Sequence, residues 1–263
     1  MANPMTAAQI LAQLEKWGIA YKTIKGWATH NRNSVGPWGG VNGFIWHHTG
    51  ADVANVGAGN YAAGTLYKGL ADLPGPLCHF GVAPDGMVYL VGWGRANHAG
   101  GGDPKVLAKV VSEEYTGNLK PEKGNKDGVD GNAHFYGMEI MYSGSHGMTA
   151  SQYSTALKLS AAICEFHGWT HRSCIGHGEW SDDKWDPGYS PGKIMDMNAV
   201  RNDILDVLKH RDLNADGDTV DKGEPNAVTL PTTPPVPPVS PKNYTVKKGD
   251  TVTFPGGGKV TVN

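Results

Sequence analysis

Only three cysteines, Cys78, Cys164 and Cys174, occur in 263 residues, and no two of them stand at Cys-x-x-Cys spacing. That shortage excludes a structural zinc closed by paired thiolates and the disulfide framework of a small secreted domain. The thiols are expected to be reduced, with at most one pair meeting in the fold. No apolar run approaches the roughly 20 residues that a bilayer-spanning helix needs, so membrane insertion is not expected. The opening Met1-Ala2-Asn3-Pro4-Met5-Thr6 has neither the basic patch nor the apolar core of a secretory signal peptide. Net charge is only −2, which leaves no overall basic field to draw the chain to nucleic acid or an anionic membrane.

Glycine, by contrast, is abundant at 37 residues, and proline reaches 17. Such a composition suits long connections rather than a helix bundle. Eight tryptophans and ten tyrosines serve a carbohydrate or peptide groove as readily as a core. The length accommodates one domain of about 150–200 residues with appendages.

Along the chain, Ile10, Leu11, Leu14 and Trp17 form a helical stripe, with Thr6 as its N-cap and Gly18 as its stop. Residues 26–40, rich in Gly, Asn and Trp, are expected to wrap the domain or form part of a groove wall. Gly43 to His47 reads as a buried strand, and Tyr61 to Gly69 as a short helix. Segments 78–83 and 87–91 flank an Asp-Gly turn and predict a hairpin. A long Gly-rich excursion from Gly92 to Ala133 holds a helix near 104–115 and, being long, is expected to be functional. Phe135 to Tyr142 predicts another strand. Thr149 opens a capping box for a helix running to about His167. A final helix, about Met197 to His210, puts Met197, Val200, Ile204 and Leu208 on one face. The expected fold is therefore mixed α/β, a central β-sheet flanked by helices, with two of the helices covering one sheet.

After residue 211 the character changes. Asp212, Asn214 and Asp216 resemble the start of an EF-hand calcium loop, although the closing Glu224 falls one residue late. A plain solvated turn is the alternative. Leu230 to Lys242 is a proline-rich, stiff linker. Tyr244 to Val252 looks like the first strand of a LysM wall-binding module. Too few residues follow for an independent core, so a small β-hairpin is expected. The division that results is 1–40, an N-terminal helix and wrapping segment; 41–211, a catalytic domain; 212–229, the Asp/Gly-rich loop; 230–242, the linker; and 243–263, the short β appendage.

Three segments carry the chemistry: Phe44-Ile45-Trp46-His47-His48-Thr49, Gly176-His177-Gly178-Glu179-Trp180 and Lys184-Trp185-Asp186-Pro187-Gly188. Two histidines and an aspartate on separate segments suit a catalytic zinc, with three protein ligands and an open fourth position. Side chains alternate along a strand, so His47 and His48 face opposite ways. Glu139 is a lone carboxylate in the apolar run Gly137-Met138-Glu139-Ile140-Met141 and is costly to bury without a role.

An apolar strand ending in His-His-Thr, a distant Gly-His, and Lys-x-Asp-Pro-Gly nine residues on resemble the N-acetylmuramoyl-L-alanine amidase family, over roughly Gly40 to Leu208. The resemblance implies that His47, His177 and Asp186 hold zinc, with His48, Asp182 and Asp183 as nearby rivals. It also implies that Glu139 is the general acid/base and that Lys184 steadies the oxyanion. His98-Ala99-Gly100 resembles the family's loop at the groove, which assigns His98 to substrate, and His79 and Trp46 are further substrate candidates, as are Tyr142 and Trp93. One departure stands out: Cys78 occupies the place where some relatives carry a catalytic tyrosine. The implied partner is bacterial peptidoglycan, hydrolysed at the bond between N-acetylmuramic acid and L-alanine. The implied setting is a monomeric phage endolysin, made in the host cytoplasm and delivered to the wall through a phage-encoded pore. A binding-only peptidoglycan-recognition protein and a zinc peptidase of the stem peptide are the alternatives.

Overall fold

A computed structural model describes residues 2–209, together with the backbone of two short strands near the C-terminus. Helix α1 (Ala7–Lys16) starts at a reciprocal cap: the Gln9 N–H donates to the Thr6 hydroxyl at 3.2 Å, and the Thr6 N–H donates to the Gln9 side chain at 2.8 Å. Strands β1 (Tyr21–Thr23), β2 (Gly43–His48), β3 (Phe80–Val82) and β4 (Val88–Leu90) follow, then helix α2 (Pro104–Val111). Strand β5 (Phe135–Ile140), helix α3 (Ala150–His167), strand β6 (Cys174–Gly176), a one-turn helix (His177–Trp180) and helix α4 (Met197–Lys209) complete the order. A second unit holds the antiparallel pair Thr251–Thr253 and Lys259–Thr261.

The six strands form one sheet in the order β1-β4-β3-β5-β2-β6, parallel at every junction except β3–β4. Strand β2 lies between two parallel neighbours and is buried throughout. That position is why it reads as an unbroken apolar run rather than an alternating one. Phe44, Trp46, Tyr136, Met138 and Ile140 face one way, into a core closed by α1, α3 and α4. On the other face, Ile45, Phe135 and Ile175 pack with Val106 and Val110 of α2 and with Trp180. The fold is thus the expected mixed α/β sheet flanked by helices.

Several boundaries differ from the sequence expectation. The helix expected at Tyr61 begins at Ala58, widens over Ala62–Leu66, and gives way at Gly69 to a small strand pair. The helix expected to reach residue 115 stops at Val111, and Glu113 then turns the chain with φ of 57°. The first 40 residues do more than wrap: β1 extends the sheet beside β4, and Ile10 and Leu14 enter its core. The calcium-like loop at Asp212, Asn214 and Asp216, the linker at 230–242 and the segment Tyr244 to Asp250 lie outside the described residues.

His79 shows how tightly polar groups inside this core are matched. Its ring has no exposed surface and stacks on Trp38 at 5.0 Å. One ring nitrogen, Nε2, lies 2.8 Å from the Gly94 carbonyl and therefore carries the proton; Nδ1 accepts the Gly137 N–H at 3.0 Å. Only the neutral ring satisfies both bonds, and burial pushes its pKa down to about 4. An unfolded chain protonates this histidine near 6.5, so it binds the proton first as the pH falls. Stability is complete above about pH 6.5 and declines toward about 4, by about 1.4 kcal/mol per pH unit for this one group. Urea denaturation of the His79→Gln variant, whose side chain retains a donor and an acceptor, is expected to show a pH slope in that window shallower by about one proton. An unchanged slope would remove His79 from the acid response.

Candidate metal centre

Parallel pairing brings the C-terminal ends of β2, β5 and β6 side by side. His47 pairs with Glu139 across β2 and β5, and Gly176 pairs with Trp46 across β6 and β2. His177 therefore emerges beside His47, in the position where open α/β sheets gather ligands. Asp186 arrives on the following loop, tethered where the Gly178 N–H donates to its backbone carbonyl at 2.9 Å. The turn carrying His177 is braced from below. Glu179 accepts the Gly176 N–H at 3.0 Å and two Arg201 guanidinium bonds at 2.7 and 2.8 Å.

Three donor atoms converge there. His47 Nδ1 lies 3.0 Å from His177 Nδ1 and 2.9 Å from Asp186 Oδ2, and His177 Nδ1 lies 3.1 Å from the same oxygen. The outer partners of the rings decide which atoms carry protons. His177 Nε2 faces the Ala99 carbonyl at 3.2 Å and must donate, which leaves Nδ1 with a lone pair. His98 Nε2 faces the Phe135 carbonyl at 3.3 Å, so His98 Nδ1 is an acceptor; His47 Nε2, 3.2 Å away, donates to it. His47 Nδ1 is then also a lone pair. Two imidazole lone pairs and a carboxylate oxygen pointing at one spot repel one another unless a cation sits between them. This donor set fits zinc, whose ligands of this kind lie about 2.0–2.2 Å from the ion. Among the described residues, these three form the group placed to hold a metal.

The electrostatics agree with that assignment. Burial, and next the neighbouring His177, lower His47 to about 4, so it stays neutral as a ligand must. Burial opposes ionisation of Asp186, and its carboxyl falls well below the usual range only with positive charge or a donor at the His177 and His47 nitrogens, a role that a cation would take when both Nδ1 atoms are lone pairs. Glu139, on the same sheet face as His47, behaves oppositely. Burial first, and then the Asp186 charge, push its carboxyl well above the usual range, and Lys184 works against them. Its Oε2 is buried with no hydrogen-bond partner. Lys184 is half-buried, and its charge reaches both His47 and Glu139.

Other expected residues lie elsewhere. His48 faces away from the donor triangle, and its Nδ1 accepts the Gly188 N–H at 3.1 Å, steadying the loop beyond Asp186. Trp46 and His79, expected at the substrate, have no exposed surface. Trp46 donates to Ser160 in the core at 2.9 Å, while the nitrogens of His79 are taken by backbone. Neither offers an atom to substrate in this arrangement. His98, also expected there, stands behind His47 with 8% of its surface exposed. Tyr142 and Trp93 are buried as well. Sequence reasoning missed Arg201, whose signal was a lone guanidinium between the apolar positions Val200 and Ile204, and Asn132, which carried none.

The sequence matches the family described as N-acetylmuramoyl-L-alanine amidase over residues 37–189. No curated protein sequence matches the chain. Among solved structures, the endolysin amidase LysCS from Clostridium intestinale is 16% identical at a TM-score of 0.40, covering 69% of this chain and 93% of its own. The Staphylococcus aureus hydrolase AmiA is 12% identical at 0.43, covering 80% and 95%. Wild-type Drosophila PGRP-LB is 15% identical at 0.40, covering 65% and 88%. The sequence match spans more than half of the chain, and this protein belongs to the N-acetylmuramoyl-L-alanine amidase family.

Proposed function

We propose that this amidase is zinc-dependent, with the ion held by His47, His177 and Asp186, and that it cuts the amide between the lactyl group of N-acetylmuramic acid and L-alanine. The observation that carries the reading is the convergence of two imidazole lone pairs and Asp186 Oδ2 within 3.1 Å of one another. A zinc ion bound there supplies Lewis acidity to the scissile carbonyl and acidifies water. Glu139, one strand over in register with His47 and with a buried, unpartnered oxygen, takes the proton from the attacking water and returns it to the leaving amine. Its environment favours the proton-holding form, which suits a group that carries a proton from the water to the leaving amine. Lys184 supplies fixed positive charge as the tetrahedral oxyanion develops. The products are a free stem peptide with an L-alanine amino terminus and a bare glycan strand.

Digestion of purified peptidoglycan, with products read by mass spectrometry, tests this directly. Intact stem peptides are expected from the zinc-loaded protein and none after chelation. The Glu139→Gln variant is expected to retain zinc and lose about 10²–10⁴-fold in rate. Cleavage within the peptide would make the enzyme a peptidase instead, and binding without products would leave a recognition protein.

We further propose that the setting is phage lysis, with the enzyme made in the host cytoplasm and admitted to the wall through a phage-encoded pore. Expression inside bacteria is then expected to cause lysis only when a pore-forming protein is co-expressed. Lysis without the pore would refute this route.

A further inference from the structure

The segment His98-Ala99-Gly100 touches both histidines of the donor triangle. His98 Nδ1 accepts from His47 Nε2 at 3.2 Å, and the Ala99 carbonyl accepts from His177 Nε2 at 3.2 Å. Two adjacent residues of one loop therefore set the tautomers of two histidines, one at the end of β2 and one in the turn that follows β6. Gly137 leaves the space that His98 fills, since a Cβ there would stand 2.3 Å from His98 Nδ1.

One side chain binds three successive amides of this loop. Asn132 Oδ1 accepts three consecutive backbone N–H groups, from His98 at 2.9 Å, Ala99 at 2.8 Å and Gly100 at 3.3 Å. Asn132 is itself buried, and its own N–H donates to Asp130 Oδ1 at 3.1 Å. Asp130 in turn forms an ion pair with Arg95 at 2.7 Å, so the loop is gripped just upstream as well. The Gly131 N–H donates to the Gly100 carbonyl at 2.8 Å and closes the clasp.

From this network we infer that Asn132 is a positioning residue for the metal centre, acting through the 98–100 backbone to aim the Nδ1 lone pairs of His47 and His177 at one point. His98 is the ring through which it acts on His47, and the Ala99 carbonyl is the group through which it acts on His177. The inference rests on the zinc reading above. It moves His98 from substrate contact to support of a ligand. Outer partners of this kind typically change metal affinity by about 10–100-fold when removed.

Zinc affinity of the full chain, measured by competition with a chromophoric chelator, tests the inference apart from catalysis. The visible absorption of the cobalt-substituted protein reports ligand geometry alongside it. Asn132→Ala is expected to weaken zinc binding about 10–100-fold and to alter the cobalt spectrum. Asn132→Asp, which keeps an acceptor for the three N–H groups, is expected to restore both. His98→Leu should show a comparable loss, and His98→Asn, with an amide oxygen in place of Nδ1, should recover most of it. This second pair carries the test if Asn132→Ala fails to unfold cooperatively. Parent-like affinity and spectra in both Asn132→Ala and His98→Leu would overturn the proposal and leave the zinc reading intact. So would a loss that neither conservative variant repairs. A parent protein that binds no zinc would overturn the zinc reading itself, and the proposal with it.

Discussion

Everything at the functional end of this molecule follows from holding three electron-rich atoms against their mutual repulsion. His47 Nδ1, His177 Nδ1 and Asp186 Oδ2 stand about 3 Å apart with no proton available to bridge the two rings. Left to themselves, they would separate or recruit protons. The backbone prevents the first, and the carbonyls and the ring behind the histidines prevent the second. A site under that constraint resembles a charged spring: the free energy stored by the fold is released when a cation arrives. The metal would then contribute to the stability of the native state as well as to chemistry.

The sheet makes such a constraint affordable. Parallel pairing of β2 with both β5 and β6 places three strand ends at one edge, each strand braced along its length by ladder hydrogen bonds. One face is sealed by α1, α3 and α4, and on the other α2 packs beside the site. Glu139 exploits the same geometry. Its register opposite His47 makes the proposed proton carrier and the proposed metal ligand neighbours without any loop to position them. The Arg201–Glu179 pair does the equivalent for His177 from the helical side, and burial makes the loss of either partner costly, about 3–5 kcal/mol.

Much of this was legible in the sequence, for reasons that can be stated residue by residue. The helices of α1 and α3 announce themselves by Thr-x-x-Gln caps, and β2 by an apolar run too continuous for a half-exposed strand. His47 and Asp186 stood out by their resemblance to the family's strand-end histidine and to its residue before Pro-Gly, and the rigid Pro187-Gly188 pair favoured Asp186 over Asp182 and Asp183. Glu139 stood out as a charge in an apolar strand. Trp46 is expected at the groove for its aromatic character and His79 for the family segment it stands in, yet both are fully buried. Trp46 precedes His47 on a strand and so must face the opposite side of the sheet. Asn132 could not be seen at all. Its role is to accept three N–H groups from a loop more than thirty positions away, a relation that exists only once the chain is folded. The short strand β1 was missed because three residues, one half-buried and two exposed, carry no periodicity.

The anchoring of Glu179 by Arg201 bears on how this enzyme can be taken apart and recombined. The stretch that matches the amidase family ends at residue 189, yet the guanidinium that neutralises the carboxylate beneath His177 lies in α4, twelve positions further on. The start of the match, at residue 37, likewise falls after α1 and β1, both of which contribute to the sheet and its core. Sequence similarity therefore delimits the chemistry but not the folding unit. A chimeric amidase assembled by swapping modules at those borders would carry all three donors of the triangle and still lack the helix that keeps one of them in place.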